Sequence, residues 1–180
     1  MENETNKLKH KFHINIYKIN TETNEKQLIH SQEANTLVRN FFDILVGMLV
    51  NQVRSVKDLN GNIYNVDFSV DFNKSGLIGI CGTSSNPESF EDYTLQNYVT
   101  SFETIGPEIY EVTQGYEIKI TFNFSFNRPM SINEVGIYKV FKEINGSLVN
   151  VLIVRNVLST SIDVKPRLYL SVEYYLEFTT

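Results

Sequence analysis

Along this chain the spacing of apolar and polar residues changes period several times, and each period predicts a backbone conformation. Phe12, Ile14 and Ile16 alternate with His13 and Asn15, the two-residue period of a half-buried strand. The polar stretch 20–26 turns the chain, and 27–30 is read as a short return strand. From 31 to 50 the period becomes helical. Leu37, Val38, Phe41, Ile44, Leu45, Met48 and Leu49 recur at three- and four-residue intervals, with Arg39, Asn40 and Asp43 on the other side. The spacing predicts one amphipathic helix near residues 33–50, capped by Ser31 or Asn35, with its broad apolar face packed against a sheet.

Residues 57–62 contain Asp58 and the dipeptide Asn60-Gly61, which supplies two positive φ angles to a tight hairpin. Tyr64, Val66, Phe68 and Val70 alternate beyond it. Residues 77–81 are nearly continuous in apolar character, as in a strand buried on both faces. A long polar loop, 82–92, follows with Pro87 inside it, and 93–102 fits either a helical turn or a strand. In 116–126 every even position is apolar and every odd one polar or small, a pattern that only a strand with one wet and one dry face satisfies. Residues 167–178 repeat it with Leu168, Leu170, Val172, Tyr174, Leu176 and Phe178. Between them, 132–141 and 148–158 join across Asn145-Gly146 as a hairpin.

Two long alternating faces each need a partner, and two sheets packed face to face provide it. The predicted fold is mainly β: an antiparallel β-sandwich, jelly-roll-like, with one helix. Composition agrees. Val, Ile, Thr, Tyr and Phe make up 69 of 180 residues, and Ala34 is the single alanine, so a mostly helical protein is excluded. The length suits one domain; residues 1–11 are read as a flexible polar arm and 12–180 as the sandwich.

The charge of −5 and a pI near 5.2 argue against a nucleic-acid partner, which needs a basic footprint. The one apolar-rich run long enough to notice, 41–50, contains Asp43 and is too short to span a bilayer, so no membrane partner is expected. The N-terminus lacks the apolar region of a signal peptide, so synthesis in a cytoplasm and a soluble chain are expected. One cysteine, Cys81, is read as a small buried hydrophobe.

Candidate chemistry is sparse. His10 and His13 are spaced HxxH, but strand alternation puts them on opposite faces. The acidic loop residues Glu88, Glu91 and Asp92 could hold a calcium ion or form a glycosidase carboxylate pair, yet acids on a polar loop are usually solvated. No cofactor is implied. Tyr169 and Tyr175 fall on the polar face of the last strand, where rings of that size suit an interface with another subunit or a sugar. Glu134 and Arg155 each interrupt a strongly apolar strand. A buried charge is costly unless paired, so either both point outward to water or they pair across the hairpin and fix its register.

These segments, in this order, carry a resemblance. Gly79-Ile80-Cys81-Gly82-Thr83 followed by residues 87–95, with Asp92-Tyr93-Thr94-Leu95, resembles a "GxGTxxxxxxxxDYxL" element of structural proteins of tailed-phage particles. In that group a long alternating strand follows, here 116–126. Segments like Asn133-Glu134-Val135-Gly136-Ile137-Tyr138 and Leu152-Ile153-Val154-Arg155-Asn156-Val157-Leu158 come next, then a closing strand like 168–178. The match departs at Cys81 and at Ser84, where such proteins carry a small or branched residue and a second glycine. The resemblance implies a non-enzymatic virion protein made in the host cytoplasm. Its expected partners are copies of itself and neighbouring particle proteins, at the tail, neck or collar, or as capsid decoration. The alternatives are a carbohydrate- or receptor-binding sandwich module and, further off, a glycosidase.

Overall fold

A computed structural model describes residues 9–34, 37–67, 77–103, 107–112, 115–143 and 146–179. The strands are β1 (Lys9–Ile19), β2 (Lys26–Glu33), β3 (Val53–Lys57), β4 (Ile63–Asp67), β5 (Leu77–Gly82), β6 (Tyr98–Glu103), β7 (Pro107–Val112), β8 (Gly115–Ser125), β9 (Met130–Lys142), β10 (Leu148–Val164) and β11 (Tyr169–Thr179), with one helix, α1 (Arg39–Val50). All pairings are antiparallel. One sheet has the order β2-β1-β11-β8-β7, a second β10-β9-β5-β6, and β3-β4 form a separate hairpin.

The two large sheets share one core. Ile14, Ile16, Phe122, Phe124, Val172 and Tyr174 from the first sheet pack with Cys81, Val135, Ile137 and Val154 from the second. The approach is close: a Cβ on Gly79 of β5 would lie 2.3 Å from the ring of Phe122 on β8. The fold is therefore mainly β and antiparallel with one short helix, a β-sandwich as the alternation required. The pairs β1–β2, β5–β6, β7–β8 and β9–β10 each stay within one sheet. That connectivity is a string of hairpins joined by crossovers, and it leaves the jelly-roll-like detail of the expectation without support.

Several local expectations need correction. Residues 1–8 of the expected arm lie outside the described residues, but Lys9–Lys11 already belong to β1 and pair with Thr179, Phe178 and Glu177. The return strand β2 extends through Ser31 to Glu33, so Ser31 caps nothing; Asn35 lies outside the described residues. The helix begins only at Arg39, behind Val38, which makes no side-chain cap. Instead the Arg39 N–H donates to the Phe90 carbonyl at 2.7 Å, and the Val38 N–H to Ile153 at 3.4 Å. Leu37 and Val38 run along the free edge of β10 and commit the chain to that edge before the helix can start.

The helix is also rotated from its expected setting. Its buried residues are Asn40, Ile44 and Gly47, whereas Leu45, Met48 and Leu49 are exposed together with Phe42, Val46 and Val50. Asn40 decides this. Its side-chain amide donates to the Lys57 carbonyl and its oxygen accepts the Lys57 N–H, both at 3.0 Å. It thus completes the edge of β3 as a strand would, and a buried polar group so satisfied is cheap. Ile44 then packs with Val56, Val66, Phe141, Val149 and Val151.

At the β3–β4 turn only Gly61 has positive φ, +83°, so the expected two-residue turn is a longer one built on Asp58. The Asp58 carboxylate accepts the N–H groups of Asn60 at 2.9 Å and Asn62 at 2.8 Å. Burial pushes its pKa up, but these bonds outweigh burial and hold it below the ordinary carboxylate value. A folded pKa below the unfolded one stabilises the fold above the unfolded pKa, and that share is lost as pH falls through the folded value. Asp58→Asn is accordingly expected to be less stable than wild type near neutral pH. In chemical unfolding that gap should close as the pH enters the carboxylate range.

Candidate functional site

The outward face of the second sheet carries the two charges singled out in the sequence. On β9 and β10, Val135, Ile137 and Val154 point into the shared core. Alternation therefore turns Glu134, Gly136 and Arg155 the other way, toward the loop that joins β5 to β6. Glu134 pairs in register with Val157 and Arg155 with Gly136, so the two charges are diagonal neighbours on one face. Arg155 Nε donates to Glu134 Oε2 at 2.9 Å, and both side chains are fully buried.

The loop 83–97 closes over this pair and satisfies what remains. Arg155 Nη1 donates to Asp92 Oδ2 at 2.8 Å and to the Pro87 carbonyl at 3.1 Å; Nη2 donates to the Asn86 carbonyl at 3.1 Å. Glu134 accepts backbone N–H groups from Asn97 at 2.9 Å, Gln96 at 3.2 Å and Ser84 at 3.4 Å. Asp92 also accepts the Ser89 N–H at 2.7 Å. Asn133 donates to the Thr83 carbonyl at 2.7 Å, and Leu95 packs with Val38, Ile80 and Leu152. One guanidinium thus spans two carboxylates and two carbonyls from three parts of the chain, in the forked geometry that arginine supplies and lysine does not.

The acidic loop does not converge on a common point. Asp92 goes to Arg155. Glu88 accepts the Val157 N–H. Glu91 forms an exposed pair with Arg39, the kind worth little. Among the described residues no group of three His, Cys, Asp or Glu side chains is placed to hold a metal ion. His13 instead stacks on Tyr175, with ring centroids 4.6 Å apart, and His30 bonds with Gln32 at 2.8 Å. The Cys81 thiol is buried, which pushes its pKa up to about 12, so it stays an unreactive thiol at neutral pH.

The two tyrosines differ. Tyr175 is engaged within the chain: besides His13 it donates to Glu173, which in turn takes Lys26 Nζ at 2.6 Å. Burial, and then that carboxylate, push its hydroxyl pKa up. Tyr169 is 40% exposed and lines an open groove of about 790 Å³ with Phe126, Arg128, Met130 and Arg167. Arg167 there has φ +67° in a turn closed by the Leu168 N–H on the Lys165 carbonyl at 3.0 Å. Pro166 sits before it, and the position is one that normally selects glycine or asparagine.

In comparisons with known proteins the chain matches no family model, no curated protein and no solved structure. Among the described residues no helix is long and apolar enough to cross a membrane.

Two features escaped the residue pattern. Asp92 was legible only as one of three loop acids, because nothing in spacing ties residue 92 to residue 155. The exposed apolar face of α1 did leave a signal. Phe42, Val46 and Val50 lie off the stripe assigned to the core, so the segment is apolar on nearly every side and one sheet cannot cover it all.

Proposed function

We propose that the chain is a non-enzymatic structural protein of a tailed-phage particle, assembling through its sandwich faces and edges with copies of itself and neighbouring particle proteins. Tail, neck or collar, and capsid-decoration positions are all compatible with the resemblance. One observation carries this reading: the segments that bear the resemblance meet one another and form a lock. Gly82-Thr83, Asp92, Leu95, Glu134 and Arg155 come from four places in the sequence. They are spent on holding loop 83–97 against β9 and β10. Charges consumed in this way are unavailable to a substrate. The cavity beside Asp92, about 160 Å³ and lined also by Arg39, Asp43, Glu91 and Tyr93, is smaller than ordinary ligand sites. A charge cluster that serves rigidity suits a part that works by shape.

The groove beside Tyr169 favours a second reading, a carbohydrate- or receptor-binding module. Arg128 and Arg167 flank an exposed ring there, and an arginine held at a glycine-type backbone position suggests selection for its side chain. Quantitative mass spectrometry of purified particles, with antibody-labelled electron microscopy, tests the main proposal. The chain is expected in the particles in multiple copies at one fixed position. Its absence from particles, or its presence only in the lysate that yields them, would overturn the proposal.

A further inference from the structure

Resting on the reading of an assembling protein, we infer that α1 is a self-association surface on which a second copy of this chain docks its own α1 about a two-fold axis. Phe42, Leu45, Val46 and Leu49 recur at i, i+3, i+4 and i+7 on the side of α1 turned away from the molecule, and Val53, at the start of β3 just after the helix, is exposed as well. That spacing forms a ridge able to seat in the groove of a facing helix. Leu49 is 76% exposed and Val53 47%. At the other end the stripe runs onto loop 83–97, where Phe90 lies 5.8 Å from the Phe42 ring and is itself 45% exposed.

The size of the patch fits this occupant. From their exposed fractions these side chains offer roughly 600 Å² of apolar surface per protomer. A standard interface buries about 800 Å² per partner, of which the rim is polar. A patch of this extent is at the upper end of what monomers expose, and such patches are often functional.

Charge argues for a copy rather than for a lipid surface. A helix that lies on a membrane carries Lys or Arg on its polar face. The only basic residue of α1 is Arg39, held by both oxygens of Glu91, and the face opposite the stripe is buried in the protein itself through Asn40, Ile44 and Gly47. The chain as a whole is at −5, which an anionic bilayer repels. A two-fold contact, by contrast, sets a surface against itself. An uncharged stripe meets its own copy without like-charge repulsion. Asp43, the one acidic residue of α1, lies past the first turn and, at about 100° per residue, falls to the side of the stripe rather than on it.

Sedimentation of the full chain across micromolar concentrations tests the inference. The wild type is expected to dimerise, and Leu49→Glu or Val46→Glu to weaken the dimer at least 100-fold with an unchanged circular dichroism spectrum. Should the glutamate variants fail to fold, Val46→Cys, at the middle of the stripe, provides a second measurement. Under mild oxidation it is expected to form a covalent dimer, whereas Tyr116→Cys, exposed on β8, is not. A monomer at all concentrations, a dimer untouched by Leu49→Glu, or sedimentation with phosphatidylglycerol vesicles would each overturn the inference. Absence of the chain from particles would overturn the proposed function and leave this inference standing; a monomer found in particles does the reverse.

Discussion

Replacing Arg155 by methionine is expected to cost about 3–5 kcal/mol of unfolding free energy, the range for breaking a buried ion pair. The side chain would still fill the space. The loss arises because Glu134 and Asp92, one fully buried and the other nearly so, are left as carboxylates without their common cation. Glu134→Gln should cost less, since Arg155 keeps Asp92 and the carbonyls of Asn86 and Pro87. The double variant should recover part of the Arg155→Met loss, giving a coupling of at least about 1 kcal/mol. Urea unfolding of the four proteins measures this cycle, and zero coupling would refute the pairing as a stabilising unit. Amide exchange adds a spatial readout: in Arg155→Met the N–H groups of Gln96 and Asn97 should exchange faster, because they donate to Glu134. The pairing lies in a short block of β10, between register shifts at Leu152/Val154 and Val157/Ile162. A one-residue slip of that block would carry Arg155 off the face of Glu134 and Val154 out of the core.

Gly82→Ala is the second large effect, expected at about 3 kcal/mol, the upper end for overpacking. A Cβ at residue 82 would stand 2.5 Å from Glu134 Oε1 and 2.6 Å from the Asn97 carbonyl oxygen. Glu134 cannot swing away without releasing Arg155, and the Asn97 carbonyl is backbone that already accepts the Thr83 N–H at 3.0 Å. The methyl group therefore has to displace the loop as a whole. In a chain of this length such a change lowers the melting temperature by roughly 6–12 °C. Gly146→Ala serves as the control. Its Cβ has only the far end of Lys142 within reach, at 3.7 Å, so the cost there comes from its positive φ of +92° and should stay near 1 kcal/mol. Differential scanning calorimetry of the two variants separates close approach from backbone strain; equal losses would count against the lock around Gly82.

Much of the sandwich was legible because strand alternation is a local property. Residues 116–126 and 167–178 show one dry face each, and the structure pairs them directly, Phe122 with Val172 and Ile120 with Tyr174. The neighbours Ser171 and Glu173 broke the pattern. They lie on the expected wet face yet are buried; Glu173 is covered by Lys26 and Tyr175, and Lys26 is contributed by a strand two positions away in the sheet. For α1 the period was right and the phase wrong. The periodicity of a segment apolar on nearly every side does not say which face wins, and a two-bond fit between Asn40 and Lys57 chose it.

The sequence by itself determined the fold class and its main elements: long amphipathic strands, one helix, and two charges that could remain inside only as partners. Those follow from side-chain period and from the cost of burying charge, both of which act within a strand or between adjacent ones. The tertiary structure decided what lies against what. It brought Asp92 and the amides of Gln96 and Asn97 onto the Glu134–Arg155 pair, split the acidic loop among three separate partners, and turned the apolar stripe of α1 outward. Each of these depends on contacts between residues far apart in the chain, where no spacing rule operates and only the three-dimensional fit of surfaces fixes the outcome.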